Sequence, residues 1–310
     1  MAENPKISIV VPLFNEQENI EALYNELLPV LVSSDLSYEV IFVNDGSSDN
    51  SWEVINNLHA LNKKVKGISF SRNFGHQSAL RAGISYAEGD CIISMDADLQ
   101  HPPVLIREMV GKWKEGFDIV YTQREKDKNL PAFKKITSNL FYKLMNYLSD
   151  VHIEDGTADF RLIDRKVADL LKSSEEINIF LRGYISWIGF KQFKIVYKPS
   201  ERNAGLTKYN PGKMFNLAMN GITSFSVKPL RFSIVLGGIV SFIAFVYALY
   251  AISLTLFTDR AIQGWTSILV SVLFLGGIQL IVLGIIGEYL GKLFLQSKHR
   301  PDYIINHTLK

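Results

Sequence analysis

Cys91-Ile92-Ile93-Ser94-Met95-Asp96-Ala97-Asp98-Leu99-Gln100 is an apolar run that ends in two carboxylates one residue apart. The run reads as a buried strand, and the acids stand where it ends. Alternation along extended backbone puts Asp96 and Asp98 on one side of the strand's exit. Two acids so placed repel each other unless a cation lies between them. Hard divalent ions take oxygen ligands and commonly come with phosphates, and Gln100 adds one more oxygen. An isolated Asp-x-Asp is more often a solvated turn, so the decision rests with the surrounding chain.

Residues 7–11, 38–43, 65–70 and 119–121 are further short apolar or β-branched runs, and residues 19–32, 51–61, 77–87 and 103–115 between them have helical patterning. Ser51 and Pro102-Pro103 are good helix starts. This alternation predicts an α/β fold with a mostly parallel sheet and helices on both faces. Ligands of such sheets bind beyond the carboxyl ends of the strands. The acids collect there: Glu16 after the first strand, Asp45 after the second, Asp96 and Asp98 after the fourth. A carboxylate accepts from a uracil N3–H or a ribose hydroxyl. One strand-end Asp is an ordinary turn, and Asp45-Gly46-Ser47-Ser48-Asp49 has that composition. Three such ends in one sheet point to a nucleotide site. GxGxxG, GxxxxGK[ST] and HExxH are absent, which removes dinucleotide, P-loop and zincin readings. His76, His101 and His152 lack the spacing of a zinc site.

The 310 residues allow one large domain or two modest ones, and the formal charge of +2, without basic runs beyond doublets, excludes nucleic acid as a partner. Cys91, the single cysteine, forms no internal disulfide and fits a reducing compartment. The chain runs almost at once into a strand, so no secretory leader is expected.

Composition changes near Pro229. No charged residue occurs over 232–257 or over 266–287. As helices these stretches reach roughly 33–39 Å, enough for a bilayer core. Two spans are expected, at about 232–257 and 266–288. Lys213, Lys228 and Arg231 precede them, Lys292, Lys298 and Arg300 follow, and the joining stretch holds one Asp and one Arg. That bias puts both flanks, and the large N-terminal domain, in the cytoplasm. The expected organisation is a domain over 1–228, a transmembrane hairpin over 229–290 and a cytoplasmic tail over 291–310. Phe133, Ile136, Leu140, Phe141, Leu144, Met145 and Leu148 share a helical stripe within 131–150. That segment, like 211–226, reads either as an ordinary core-packed helix or as one lying in a membrane interface; the spans favour the interface. Glu288 snorkels from the end of the second span, and Gly287-x-x-x-Gly291 has the pattern of a helix-contact face.

Taken in order, Val10-Val11-Pro12-Leu13-Phe14-Asn15-Glu16, Val43-Asn44-Asp45-Gly46-Ser47-Ser48-Asp49, Asp96-Ala97-Asp98-Leu99-Gln100 and Asp159-Phe160-Arg161-Leu162-Ile163-Asp164-Arg165 resemble glycosyltransferase family 2. With two C-terminal spans, the chain most resembles the polyprenyl-phosphate glycosyltransferases, and within them the bactoprenol glucosyltransferases. Dolichol-phosphate mannose synthases are close relatives. The likeness extends through Ile222-Thr223-Ser224-Phe225-Ser226 and Leu273-Phe274-Leu275-Gly276-Gly277.

The resemblance implies a GT-A, Rossmann-like domain on the cytoplasmic face of the cell (inner, plasma) membrane, in a multi-pass homo-oligomer. It implies inverting transfer of a sugar from a nucleotide diphosphate to a polyprenyl phosphate such as undecaprenyl phosphate, with a separate flippase acting on the product. UDP-glucose is the donor implied most closely; GDP-mannose, UDP-N-acetylglucosamine and a modified arabinose donor stay open. Pro12, Phe14, Glu16, Asp45 and Asp96 would hold the nucleoside, and Asp98 and Gln100 would bind Mg²⁺ or Mn²⁺. Asp159 matches the family's catalytic base, although an acceptor that is already anionic leaves it little proton to remove. Arg202 and Lys208 match positions that contact the phosphates, and Arg72 and Arg124 are further phosphate or acceptor ligands or else surface ion pairs. Ala158 departs from the family's frequent Gly. A processive polysaccharide synthase would carry Gln-x-x-Arg-Trp and more spans. A non-catalytic membrane partner of a flippase would let the acidic positions degenerate, and all of them remain.

Overall fold

Strands that are apolar on both faces need cover on both sides, and helices supply it here. The computed structural model describes residues 5–34, 36–125, 143, 146–151, 154, 156–177, 179–198, 221–257 and 264–310. In order these form β1 (Lys6–Leu13), α1 (Gln17–Val32), β2 (Ser37–Asn44), α2 (Ser51–Leu61), β3 (Val65–Phe70), α3 (His76–Tyr86), β4 (Cys91–Ser94) and α4 (Leu105–Lys114). There follow β5 (Ile119–Arg124), β6 (Thr157–Asp164), α5 (Arg165–Ser173), α6 (Leu181–Trp187), β7 (Gln192–Tyr197), α7 (Lys228–Phe257), α8 (Trp265–Ser297) and β8 (Ile305–Leu309).

The sheet has the order β7-β5-β6-β4-β1-β2-β3-β8. β4, β1, β2 and β3 run parallel, as the alternating pattern predicts. From β1 the chain winds outward to β3 and then returns to β4 on the other side of β1, so the topological switch lies between β1 and β4. Ile9, Val11, Phe42 and Ile93 face the layer of α1 and α4, whereas Val10, Ile41, Val43 and Ile92 face that of α3 and α5. In α1 the buried set is Ile20, Leu23, Tyr24, Leu27 and Leu31, one helical stripe. α3 lies unusually close to β1, because a Cβ on Gly83 would stand 2.2 Å from Val10 Cγ1. That approach sets the start of α3, at His76, beside the strand ends.

Three strands lie outside the sequence expectation. β6 enters antiparallel between β4 and β5. Its charged Asp159 and Arg161 alternate with buried Ala158, Phe160 and Leu162, which disguises a central strand as a polar one. β7 pairs in parallel with β5, and β8, within the stretch read as a tail, adds antiparallel to β3.

Two compact units result, one holding the sheet together with Arg300–Lys310 and the other holding α7 and α8. α7 has 30 residues and α8 has 33, or about 45 and 50 Å of helix. Both are long and apolar enough to cross a membrane. α7 starts earlier, and α8 ends later, than the charge-free stretches alone indicate. Ser226 Oγ accepts from Lys228 N at 3.1 Å at the start of α7, and Tyr289 of α8 donates to Ser226 O at 2.6 Å. Of the expected amphipathic segments, Lys143 and residues 146–148 and 221–225 are helical. Residues 131–142, 144–145 and 211–220 lie outside the described residues.

Candidate active site

The loops after β1 and β2 are tied to each other. Asn15, at φ +56°, accepts from Ser48 N at 2.9 Å and donates its own N–H to Ser47 Oγ at 2.9 Å. Gln17 N donates to Asp49 Oδ2 at 3.2 Å, and Gln17 Oε1 accepts from Asn50 N at 2.9 Å. The lock holds Phe14 and Glu16 opposite Asp45. Beyond the carboxyl ends of β1, β2 and β4 lies a cleft of about 410 Å³, lined by Pro12, Phe14, Glu16, Asp45, Asp96, Asp98 and His76 among others. Six of the residues singled out in the sequence therefore meet in one place. Phe14 is 44% exposed, an aromatic face available at the rim for a base to stack on.

Asp45 is buried, and its two oxygens accept from Phe74 N at 2.7 Å and Gly75 N at 2.9 Å. Burial pushes its carboxyl above the ordinary value despite these bonds. Asp45 thus shapes the cleft wall as well as lining it. Asp96 sits on a turn that His101 holds from beneath. His101 is fully buried, stacked on Phe160 with centroids 5.2 Å apart, and its Nδ1 accepts from Asp96 N at 3.1 Å. That bond puts the proton of the neutral ring on Nε2, 3.7 Å from Asp96 Oδ2.

Asp96 Oδ1 is buried without a hydrogen-bond donor. Asp98 Oδ1 accepts from Gln100 N at 3.2 Å, and the Gln100 side chain does not line the cleft. Among the described residues no group of three or more His, Cys, Asp or Glu is gathered to hold a metal. A pair of carboxylates at a cleft nonetheless fits a hard cation whose other ligands are phosphate oxygens and water.

Asp159 on β6 forms a cluster that the sequence does not announce. Arg182 of α6 grips it with two parallel bonds, Nε to Oδ1 and Nη2 to Oδ2, both at 2.8 Å. Arg161 Nη2 lies 3.2 Å from Oδ1 and His76 Nε2 lies 3.4 Å from Oδ2. Burial opposes the charge on Asp159, but Arg182, His76 and Arg161 outweigh it and hold the carboxyl well below the usual range. His76 also reaches Asp96 Oδ1 at 3.5 Å, which joins the cluster to the cleft. Burial opposes its charge as well, yet Asp159 and Asp96 keep its imidazolium above the ordinary value. Arg161 stands inside a quoted motif, but nothing in the local sequence marks Arg182 or His76.

Arg72 is exposed, its guanidinium 4.0 Å over the Phe74 ring, and is outside the cleft lining. Arg124 ends β5 and places its charge beside Tyr197 and His101. Arg202 and Lys208 lie outside the described residues.

Residues 8–171 match the model of Glycosyl transferase family 2. The uncharacterized glycosyltransferase YkcC of Bacillus subtilis (strain 168) is 47% identical over 308 residues, covering 99% of this chain and 95% of the relative. The bactoprenol glucosyl transferase of Shigella phage SfV is 42% identical over 302 residues, covering 97% of this chain and 98% of the relative. Among solved structures, mannosyl-3-phosphoglycerate synthase from Rubrobacter xylanophilus gives a TM-score of 0.49 at 15% identity, over 69% of this chain and 71% of that one.

Proposed function

The chain belongs to glycosyltransferase family 2 and is a glycosyltransferase, and we propose that it moves glucose from UDP-glucose to the phosphate of a polyprenyl lipid such as undecaprenyl phosphate. The observation that carries this reading is the acid-lined cleft at the switch point, in a chain that also has two helices fit to cross a membrane. Phe14 would stack on the base, while Glu16, Asp45 and Asp96 accept from base and ribose donors. Asp98, with Gln100, would hold Mg²⁺ or Mn²⁺, which when bound neutralises charge on the departing diphosphate. Arg202 and Lys208 are proposed to contact the same phosphates.

In the reaction an acceptor phosphate oxygen attacks the anomeric carbon as the bond to UDP breaks, so that the configuration inverts. The acceptor oxygen is already anionic near neutral pH. A carboxylate gripped as Asp159 is accepts a proton poorly, so its proposed duty is to fix Arg182 and His76 as charges beside the cleft. Arg124 and Arg72 are the remaining candidates for the acceptor phosphate. The helices α7 and α8 would keep the site at the bilayer, where the acceptor is confined. The catalytic unit would face the cytoplasm of a multi-pass inner-membrane enzyme, a homo-oligomer whose product a separate flippase turns over.

The test is incubation of the full chain, in detergent, with polyprenyl phosphate and a panel of labelled nucleotide sugars. Transfer from UDP-glucose supports the proposal. Preference for GDP-mannose or another donor keeps the reaction and changes the sugar, and absence of transfer from every donor sinks the enzymatic reading.

A further inference from the structure

The stretch between β3 and α3, residues 71–75, makes one wall of the cleft with Asn73, Gly75 and, at the first turn of α3, His76. On its inner side it is held by Asp45, through Phe74 N and Gly75 N. Gly46, at φ +67°, backs onto it so closely that a Cβ there would stand 2.3 Å from the Arg72 carbonyl carbon. Only glycine serves at this position.

The outer side is held from the far end of the sequence. Ser71 N donates to Ile304 O at 3.0 Å. The Tyr303 ring stacks on Phe70 with centroids 5.0 Å apart and planes 9° from parallel, and Phe70 meets Phe74 edge-on at 5.8 Å. Asp302 pairs with Arg81 of α3, whose guanidinium also donates to the Glu176 carbonyl at 2.7 Å. Beyond these contacts β8 pairs with β3, and His307 stacks on Trp52 at 6.0 Å.

We propose that residues 302–305 are a positioning element of the donor site, which braces the 71–76 wall from behind. This rests on the reading of the cleft as the nucleotide-sugar site. Without the segment, Ser71 N–H loses its acceptor and Phe70 its stacking partner, and the loop that presents Asn73, Gly75 and His76 is restrained only from inside. Residues 298–301 alone separate α8 from the brace, so the chain that leaves the second apolar helix is what seats the donor wall. The effect falls on donor binding. The Asp96 turn keeps its His101 bond and Asp159 keeps its Arg182 and Arg161 partners, none of which the brace touches; only the His76 contacts to these acids share the braced wall.

The experiment compares Tyr303→Ala, Tyr303→Phe and Asp302→Asn in the full chain in detergent. Two readouts are taken: steady-state kinetics with UDP-glucose and a short-chain polyprenyl phosphate, and hydrogen exchange at the Phe74 and Gly75 amides. Tyr303→Ala is expected to raise the donor KM about tenfold with kcat within about twofold, the split of a binding defect, and to speed exchange at both amides. Tyr303→Phe keeps the stacked ring and restores both values. Asp302→Asn, which leaves the stack intact and loosens the Arg81 pair, moves both values in the direction of Tyr303→Ala and decides the matter if that variant does not fold. Unchanged KM and unchanged exchange in Tyr303→Ala and Asp302→Asn overturn the brace, as does a kcat loss without a KM change. If the wild type transfers nothing from UDP-glucose, that counts against the proposed reaction, and exchange at Phe74 and Gly75 decides the brace by itself.

Discussion

Asp98 and Asp159 are both acids near one cleft, their surroundings differ, and the duties we propose for them differ accordingly. Asp98 lines the cleft on the turn after β4. Asp98→Ala is therefore expected to abolish transfer and to weaken nucleotide-sugar binding together, measured by turnover and by calorimetric titration of the donor with Mn²⁺. Metal-dependent transfer by that variant would remove Asp98 from the metal site. Asp159 lies under Arg182, Arg161 and His76. Asp159→Asn keeps the shape and leaves two guanidiniums without their counter-charge, so kcat should fall by about a hundredfold, the scale of one preorganised charge, with a much smaller change in donor KM. Arg182→Ala should reproduce most of that loss if Asp159 works through its partners. Full activity in Arg182→Ala would return Asp159 to the role of a base. Glu16, Asp45, Asp96 and Asp98 were legible because each follows an apolar run, and a strand end is where ligands bind. Arg182, His76 and His101 were not, since their meaning comes from partners far away in sequence that only the fold brings within hydrogen-bonding distance.

At the scale of elements, the parallel core was legible because β1, β2 and β4 carry apolar runs at Ile9–Val11, Val40–Val43 and Cys91–Ile93. β6 was hidden by its alternate charges, and β8 by its polar Asn306, His307 and Thr308, which are exposed at the sheet edge. Opposite the cleft, β1, β2 and β3 are joined by an ionic network. Glu39, buried, pairs with Lys66 at 2.7 Å and Lys6 at 3.2 Å, and Glu88 pairs with the same two lysines at 3.0 and 2.8 Å. Ser8 and Lys6 belong to β1, and Ser8 Oγ adds a 2.6 Å bond to Glu39. Lys6 and Lys66 beside Glu88 hold its carboxyl down at about 2. A carboxyl depressed in the folded state contributes stability that is complete above its unfolded value near 4.5 and is lost as pH falls through about 2. Glu88→Gln should therefore melt below the wild type at pH 7, and the gap should close as pH falls through that window. A gap independent of pH would show that the pairing does not couple to folding; Glu88 is 63% exposed, so solvent screens the pairing. For buried Glu39, Glu39→Gln is expected to destabilise by about 1.5–3 kcal/mol, the worth of charged hydrogen bonds, at every pH where the carboxylate is ionised.

On the scale of the whole molecule, the decisive contact is the pairing of β8 with β3. β3 precedes both apolar helices in the chain, β8 follows both, and the two strands share one sheet. If α7 and α8 each cross a bilayer, a chain that leaves a sheet before them and returns to the same sheet after them has both ends on one side. The charge bias in the sequence gives the same topology by an independent route, since Lys213, Lys228 and Arg231 flank one end, Lys292, Lys298 and Arg300 the other, and Asp259 and Arg260 balance between them. The prediction is a hairpin with its joining stretch outside and both ends, with the donor cleft, in the cytoplasm. Cysteine labelling of intact cells tests it, with Cys91→Ser as background. Gln263→Cys should react with an impermeant maleimide, while Asn306→Cys should react only after the membrane is opened. Labelling of Asn306→Cys from outside would contradict the positive-inside assignment and move the donor cleft away from cytoplasmic nucleotide sugars. If Asn306→Cys alone labels from outside while cysteines in β1 to β3 stay protected, the β3–β8 pairing fails too, and with it the brace on the donor wall.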